Sequence, residues 1–373
     1  MKGSIKKNNQ TGNWDIVLDV GKDKLTGKRR QKKKRGFKTK KEAEKALTAL
    51  LNEVNEGTYI EPSKQAYSDY FNAWLKGKEH DLSVQTLKAY NSYLKTHILP
   101  HLGHFPLATL TPLHIQGFVG ELRKKGLSDT TTKRIFNVVN ASLNSAVRME
   151  LIKKNPASII EKPRVTAKET AIWNLEESFL FLKSAKSSPY YIAFLLAVTT
   201  GMRQGEILGL RWKDVDFEHE CLYIRQTLTH DGKEFKEGAK SKAGNRSIGL
   251  DTNTISALKE QRKKNVANKL KYGSAYVDYD LVIATPQGKP VNPRSLLRVF
   301  DNLTVKANLS KIRFHDLRHT HASLMLQQGE NIKLISERLG HSSVKVTLDT
   351  YSHILPNTQK EASNRLAQQL FNS

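Results

Sequence analysis

The residues best suited to chemistry lie in the last fifth of the chain. Several imidazoles, an arginine and a tyrosine recur there at short spacings, beside glycines that favour turns. His315 and Arg318 are three residues apart, which places them on one face of a helix. The runs concerned are 314–321, 339–343 and 349–351.

Together with two upstream cations, these groups could cleave a phosphodiester without a metal. Such a reaction needs cations on the non-bridging oxygens, a nucleophile in line with the bond, and an acid for the leaving oxygen. Arginine, tyrosine and lysine or histidine are the residue types that provide these groups. The candidates are Arg203, Lys242, His315, Arg318, His341 and Tyr351.

Taken singly, these residues are weak evidence, because a structural ion pair or a surface lysine would look the same. The imidazoles invite a metal site, but the helical spacing of a zinc hydrolase, with its intervening glutamate, is absent from the sequence. The sequence also lacks a nucleophile elbow around a serine and a glycine-rich phosphate loop. Residues 331–351 fit a helix-turn-helix as well, so on that stretch alone a non-catalytic DNA-binding regulator stays open.

The composition favours a nucleic-acid partner. Lys and Arg number 61 against 36 acidic residues, which gives a net charge of +25, and a folded protein this basic accumulates on polyanions. Because the sequence has no apolar run of about 18 residues and no secretory signal, we expect a cytoplasmic, nucleoid-associated protein without a membrane partner. Cys221 is the single cysteine, which excludes an intrachain disulfide and a cysteine-based metal site.

The first of three predicted domains, 1–60, is a small basic module. Alternating apolar residues over 14–20 predict a strand, and the basic run 28–37 predicts another. A capping box at Thr39 then begins a helix. The expected fold is a three-stranded sheet backed by one helix.

The basic run of this module is a candidate DNA contact. A charge run alone is usually a solvated tail, but a charged ribbon on a sheet suits a DNA groove or its phosphates. The residues expected to contact DNA are Arg29, Arg30, Lys32, Lys33, Lys34 and Arg35, with Lys133 and Arg134 in the next domain.

The second predicted domain, 65–160, is a helical bundle. Apolar residues at helical spacing indicate four helices, of which the second ends before Pro100. A linker rich in proline and charge then leads to the third domain, 170–373.

The third domain predicts a mixture of helices and strands that carries the candidate residues. Arg203 begins a short helix directly after a nearly all-apolar one. Lys242 lies near the tip of a hairpin predicted between strands 221–228 and 247–250.

Four boxes of this domain resemble the signature of the tyrosine recombinases, the phage integrase family. They are 200–208, 315–320, 339–343 and 350–351, in matching order and separation. The first two domains are similar to the arm-type and core-binding, SAM-like domains of integrases from Gram-positive temperate phages and integrative or conjugative elements. The resemblance implies a multi-domain, mainly α fold with small β-sheets, ending in a mixed α+β catalytic domain.

The resemblance also implies a role for each phosphate-binding residue. Arg203 and Arg318 would clamp the scissile phosphate, because a guanidinium fork matches two phosphate oxygens. His341 would donate a hydrogen bond to the same phosphate. His315 would act as acid or base toward the phosphate or the tyrosine.

In the same resemblance, Tyr351 would attack as the nucleophile and form a 3′-phosphotyrosine. Lys242 would protonate the departing 5′-oxygen, although Lys240 points the same way in an alternating hairpin. The remaining imidazoles, His319 and His321, are interpreted as structural.

The resemblance implies an integrase that needs no cofactor or metal and integrates and excises a phage or mobile element. Its partners would be double-stranded core and arm attachment sites, three further copies in a homotetramer, an excisionase and a host DNA-bending protein. The C-terminal segment 359–373 would pack on a neighbouring protomer. A resolvase or chromosome-dimer recombinase uses the same chemistry, but such relatives generally lack an arm domain.

Overall fold

The computed structural model describes residues 3–22, 27, 29–56, 59–60, 64–165, 171–238, 245–351 and 358–371. The chain forms two compact units, 1–167 and 168–373, each with its own apolar interior. The division into three domains stays a prediction. Within the described ranges no helix has the length and apolar character to cross a membrane.

The first unit begins with the predicted three-stranded sheet and helix. The strands are antiparallel with β2 in the centre, and Thr39 and Glu42 form the expected capping box. Ile16 and Leu18 of the sheet pack against Ala43 and Leu47 of the helix. The elements are β1 (Gly3–Lys7), β2 (Trp14–Lys22), β3 (Arg29–Phe37) and α1 (Lys40–Asn55).

The rest of this unit is the expected helical bundle, with one difference. Pro100 does not end its helix, because a π-helical turn, Leu94–Ile98, precedes it and places the proline in a new first turn. Proline has no backbone N–H, and the N–H groups of a first turn make no hydrogen bond within the helix, so proline is tolerated there. The helices are α2 (Tyr67–Gly77), α3 (Val84–Tyr93), α4 (Leu99–Leu102), α5 (Pro112–Lys124) and α6 (Asp129–Arg148).

The second unit is built around the buried helix α8 (Tyr191–Thr200), in which eight of the ten residues are buried. Phe194 of this helix lies in a cluster of aromatic rings with Trp173, Phe181, Phe300 and Phe314. The helices up to this core are α7 (Leu175–Ala185), α8 (Tyr191–Thr200) and α9 (Gln204–Gly209). Those that follow are α10 (Thr252–Tyr272), α11 (Pro293–Lys306), α12 (Asp316–Gln327), α13 (Ile332–Leu339), α14 (Val344–Tyr351) and α15 (Thr358–Phe371).

The strands of this unit correct the predicted hairpin. The run 221–228 is not one strand but two, and only the first pairs with the strand Ser247–Gly249, through Leu222 and Ile248. The second pairs with the strand Phe235–Glu237 instead. Gly209 lets the backbone of this second strand lie against α9, because a Cβ at Gly209 would come within 2.8 Å of the Leu228 nitrogen. The strands are β4 (Val215–Asp216), β5 (Cys221–Tyr223), β6 (Gln226–Leu228), β7 (Phe235–Glu237) and β8 (Ser247–Gly249).

A smaller core lies apart from the main one. It contains Ala322 and Leu326 of α12, Ile335 and Leu339 of α13, and Tyr351 at the end of α14. The candidate nucleophile is therefore part of a local cluster that joins three short helices.

The junction between α8 and this smaller core requires glycine. Gly201 ends α8 at φ +66°, and a Cβ there would lie 2.7 Å from both His321 Cδ2 and Leu339 Cδ2. We expect Gly201→Ala to destabilise the protein by about 1–2 kcal/mol for the left-handed backbone and a further 1–3 kcal/mol, roughly, for overpacking. Urea unfolding measures the loss.

Gly238→Ala is the matched control. Its φ is +73°, but no described atom would lie within 4 Å of the added Cβ. It should therefore lose only the backbone contribution, about 1–2 kcal/mol. Equal losses in the two variants would contradict the packing of Gly201 against His321 and Leu339.

Candidate active site

The candidate residues converge on the C-terminal end of α13. The carbonyls of residues 338–340 each accept a hydrogen bond from a different arginine. Arg246 Nε bonds to the first at 2.7 Å, Arg318 Nη2 to the second at 2.5 Å and Arg203 Nη2 to the third at 3.3 Å. A helix C-terminus carries partial negative charge, so it holds these cations together.

Arg318 is the most buried of the three, with 4% of its surface exposed. Its Nη1 also donates to the carbonyl of Gly201 at 2.8 Å, so the guanidinium spans the ends of α8 and α13. Burial, and then the charge of Arg203, lowers its pKa, but an arginine pKa is high enough that the group stays charged. The site thus contains a buried positive charge whose two hydrogen-bond partners, among the residues that the structure describes, are neutral carbonyls.

Glu206 connects the other two arginines. This carboxylate is 2% exposed and accepts from Arg203 Nη1 at 2.8 Å and from Arg246 Nη2 at 2.9 Å. Burial alone would raise the pKa of Glu206, but the hydrogen bond and charge of Arg246, with Arg203, outweigh it and lower the pKa. The ionised carboxylate therefore fixes both guanidinium planes.

Two histidines border the arginines in neutral form. His341 Nδ1 lies 2.8 Å from Thr347 Oγ1, and burial with the charges of Arg318 and Arg203 lowers its pKa to about 4. His315 is more exposed, at the start of α12; even so, partial desolvation, then the charges of neighbouring groups, lowers its pKa. At neutral pH each ring can donate one N–H and accept at its other nitrogen.

Tyr351 is 2% exposed, and its hydroxyl lies 2.8 Å from His319 Nδ1. Burial raises the pKa of Tyr351 to about 12, although the charge of Arg318 opposes the shift. The hydroxyl is therefore a protonated phenol at neutral pH. His319, interpreted from the sequence as structural, contacts the candidate nucleophile; its position four residues after His315 on one helix face was the available signal.

His321, by contrast, makes structural contacts. Its Nδ1 lies 2.9 Å from the Val198 carbonyl, and Arg338 Nε donates to its Nε2 at 3.2 Å. These two bonds fix one neutral tautomer, with the proton on Nδ1. Burial, and then the charge of Arg338, lowers the pKa of His321 to about 4.

The structure brings together five of the six predicted residues: Arg203, His315, Arg318, His341 and Tyr351. Lys242 and its alternative Lys240 lie in 239–244, outside the described residues. Sequence reasoning missed Glu206 and Arg246. Glu206 could have been found, because an acidic residue three positions after a helix start is a capping-box signal.

The residues predicted to contact DNA elsewhere lie on β3 and α6. The side chains of Lys33, Lys34, Arg35 and Arg134 are exposed, and those of Lys32 and Lys133 are half-buried. Arg29 and Arg30 belong to β3, but their side chains are outside the described part of the structure. Among the described residues, no three His, Cys, Asp or Glu side chains are grouped so as to hold a metal ion.

The role of Glu206 leads to a stability prediction. Glu206→Gln leaves buried arginine charge uncompensated and should destabilise the protein by about 3–5 kcal/mol at pH 7. Because the folded pKa of Glu206 lies below its usual 4.5, its stabilisation is present above that pH and lost on acidification through the folded value. Urea unfolding between pH 7 and pH 3 should show a shallower acid loss in Glu206→Gln than in the unmodified protein.

Glu260→Gln controls for the substitution itself, because Glu260 forms an ion pair with Lys263 on an exposed face. It should change stability little. A similar loss in both variants would contradict the bridging role of Glu206.

Three stretches of the chain match known protein families. Residues 174–358 match the phage integrase family, residues 4–54 match an arm DNA-binding domain, and residues 66–123 match the phage integrase N-terminal SAM-like domain. The tyrosine recombinase XerC-like protein of Caldanaerobacter subterraneus is 28% identical, covering 97% of this chain and 98% of its own length. The ICEBs1 integrase of Bacillus subtilis is 27% identical, covering 97% and 99%.

Solved structures show the same fold. The Tn1549 transposon integrase in complex with transposon right end DNA has a TM-score of 0.70 at 19% identity, covering 81% of this chain and 99% of that one. A lambda integrase tetramer bound to a Holliday junction has a TM-score of 0.58 at 20% identity, covering 91% and 95%.

Proposed function

The chain belongs to the phage integrase family and is a site-specific tyrosine recombinase, and we propose that Tyr351 is the nucleophile through which it cleaves and rejoins DNA. The observation that carries the proposal is the convergence of Arg203 and Arg318 on one helix end beside the Tyr351 hydroxyl. Its biological role would be to integrate and excise a phage or mobile element. A non-catalytic regulator is not favoured, because the matching family and the similar proteins are integrases and tyrosine recombinases.

The arginines would bind the scissile phosphate. Each guanidinium has five N–H donors in a planar fork, so Arg203 and Arg318 can contact phosphate oxygens while keeping part of their bonds to α13. The buried charge of Arg318 has neutral partners, so an incoming phosphate would compensate it directly. The developing charge on the phosphorane oxygens would be stabilised in the same way.

The histidines would complete the phosphate site. In the tautomer in which His341 Nδ1 accepts from the Thr347 hydroxyl, the ring proton is on Nε2 and would be donated to a phosphate oxygen. His315, more exposed and close enough to Arg318 for its charge to be felt, would act as acid or base toward the phosphate. Lys242, in the segment that joins β7 to β8, would protonate the leaving 5′-oxygen.

The same proposal assigns the domains and partners. Residues 1–60 would bind arm sites, and residues 65–160 and 170–373 would each bind double-stranded core sites. The basic residues of β3 and α6 would contact phosphates. The active form would be a homotetramer, because exchange joins two duplexes. The exposed Leu366, Leu370 and Phe371 of α15 suit packing on a neighbouring protomer. An excisionase and a host DNA-bending protein would set direction, and the enzyme would act at the nucleoid, in the cytoplasm.

The covalent intermediate gives a direct test. A nicked duplex bearing the core site traps the reaction after cleavage, because the short released fragment, which carries the 5′-hydroxyl, diffuses away. The unmodified protein should form a denaturant-resistant adduct that Tyr351→Phe abolishes, since the nucleophilic oxygen is removed. Tyr279→Phe, at an exposed tyrosine, should form it normally. An adduct that survives in Tyr351→Phe would contradict the assignment of the nucleophile.

The leaving-group acid can be assigned with modified DNA. Lys242→Ala should slow adduct formation by about 100-fold or more, as expected for loss of a general acid, whereas Lys240→Ala should change it little. Replacing the bridging 5′-oxygen by sulphur removes the need for protonation, because a thiolate is a good leaving group. That DNA should restore the rate of adduct formation by Lys242→Ala. A slow Lys240→Ala variant whose rate is restored instead would reverse the assignment.

A further inference from the structure

The hydroxyl of Tyr351 is in direct contact with the ring of His319. The two atoms, His319 Nδ1 and Tyr351 Oη, are 2.8 Å apart, and the rings meet at a tilt of 53°. The ring of His315, by contrast, lies edge-on to that of His319, 5.6 Å away between centroids. Within the described residues, the hydrogen bond of the Tyr351 hydroxyl goes to His319 and not to His315.

We propose that His319 is a catalytic residue of this recombinase: its Nδ1 takes the proton of Tyr351 as the tyrosine oxygen attacks the phosphate. The inference rests on the proposed function of Tyr351. It assigns the tyrosine proton to the histidine that follows Arg318 in sequence, and leaves His315 to serve the phosphate.

The step is balanced in atoms and charge. The bond between Tyr351 Oη and phosphorus forms, the bond between phosphorus and the 5′-oxygen breaks, and the Tyr351 proton moves to His319. The leaving oxygen takes a separate proton from the acid on the 239–244 segment. In the reverse step the incoming 5′-hydroxyl attacks phosphorus and gives its proton back to the deprotonated acid on that segment, while the bond between phosphorus and Tyr351 Oη breaks and the His319 imidazolium returns its proton to the tyrosine oxygen. No oxidant, reductant or cofactor is needed.

The surroundings keep His319 able to accept a proton. Burial lowers its pKa; the negative charge of Asp316 opposes this shift, and the positive charges of Arg318 and Arg313 add to it. The ring is therefore neutral at pH 7, and Nδ1 is free to accept if the ring proton is on Nε2. The titratable or charged groups that face it are His315, Asp316 and Arg318 of its own helix, Arg313 before it, His341 after α13 and Tyr351 of α14.

The nucleophile needs such a base. A phenol with a pKa raised to about 12 is almost wholly protonated at neutral pH, so attack without a proton acceptor would use a very small phenolate fraction. A general base placed within hydrogen-bond reach typically contributes about 100-fold to 10,000-fold. His319 already lies at that distance.

Two substitutions separate proton transfer from positioning. His319→Asn retains a polar atom in place of Nδ1 and can keep the hydrogen bond to Tyr351, but its amide cannot take a proton at neutral pH. His319→Gln moves the polar atoms to the place of Nε2 and removes the contact. His230→Gln, at an exposed histidine, controls for the change of residue type.

The full-length variants are compared in single-turnover adduct formation on nicked core-site DNA, with ordinary and 5′-sulphur-bridged substrates, after circular dichroism and gel shift confirm folding and DNA binding. Both His319 variants should be slowed by about 100-fold or more. Sulphur should not restore them, since the missing group acts on the nucleophile and not on the leaving oxygen. His230→Gln should behave as the unmodified protein does.

The pH profile adds a readout that a structural role would not change. The unmodified rate should level off above the pKa of His319, whereas the rate of His319→Asn should keep rising about tenfold per pH unit toward the pKa of the phenol. A near-normal rate in His319→Asn would overturn the inference in favour of positioning. A faster rate in either variant would overturn it in favour of a lock that holds Tyr351 buried. An adduct that survives Tyr351→Phe would instead overturn the proposed function itself.

Discussion

The interaction on which the site depends is the binding of three arginines to one helix end. Guanidinium groups repel one another, and Arg318 is almost fully buried, so their approach must be compensated. The carbonyls of 338–340 provide part of the compensation through aligned peptide dipoles. Glu206 provides the rest through a full negative charge. The cationic cluster, the proposed phosphate site, can therefore exist before any DNA is bound.

The packing of the surrounding elements holds this helix end in place. Gly201 must leave room for His321 and Leu339, and Arg338 ties the end of α13 to the Thr199 and Gly249 carbonyls. Each of these contacts fixes the position of the 338–340 carbonyls relative to α8 and β8. The arginine cluster is thus held by the packing of the unit, and not by the arginine side chains alone.

Much of the fold and most of the site could be predicted from the sequence, because the signals are local or arise from recognisable boxes. The capping box at Thr39 and the αL glycine after α8 show in the residues themselves. The division of 221–228 between two sheets could not be foreseen, since it depends on a backbone contact with Gly209 on another element. The contact of His319 with Tyr351 was missed for a similar reason, because only the packing of α14 brings the tyrosine to it.

The small core around Tyr351 has a mechanical consequence. Tyr351 is the last residue of α14 and packs with Leu326, Ile335 and Leu339, separately from the large aromatic cluster. If this tyrosine becomes joined to a DNA strand, as proposed, any tension along that strand pulls first on α14, whose buried residues are Thr347 and Tyr351. Such a cluster yields at a lower force than the main core, because resistance follows the apolar area that must be exposed. The proposed covalent linkage would thereby be flexibly mounted, and the strand could move between duplexes while the main core of this unit stays folded.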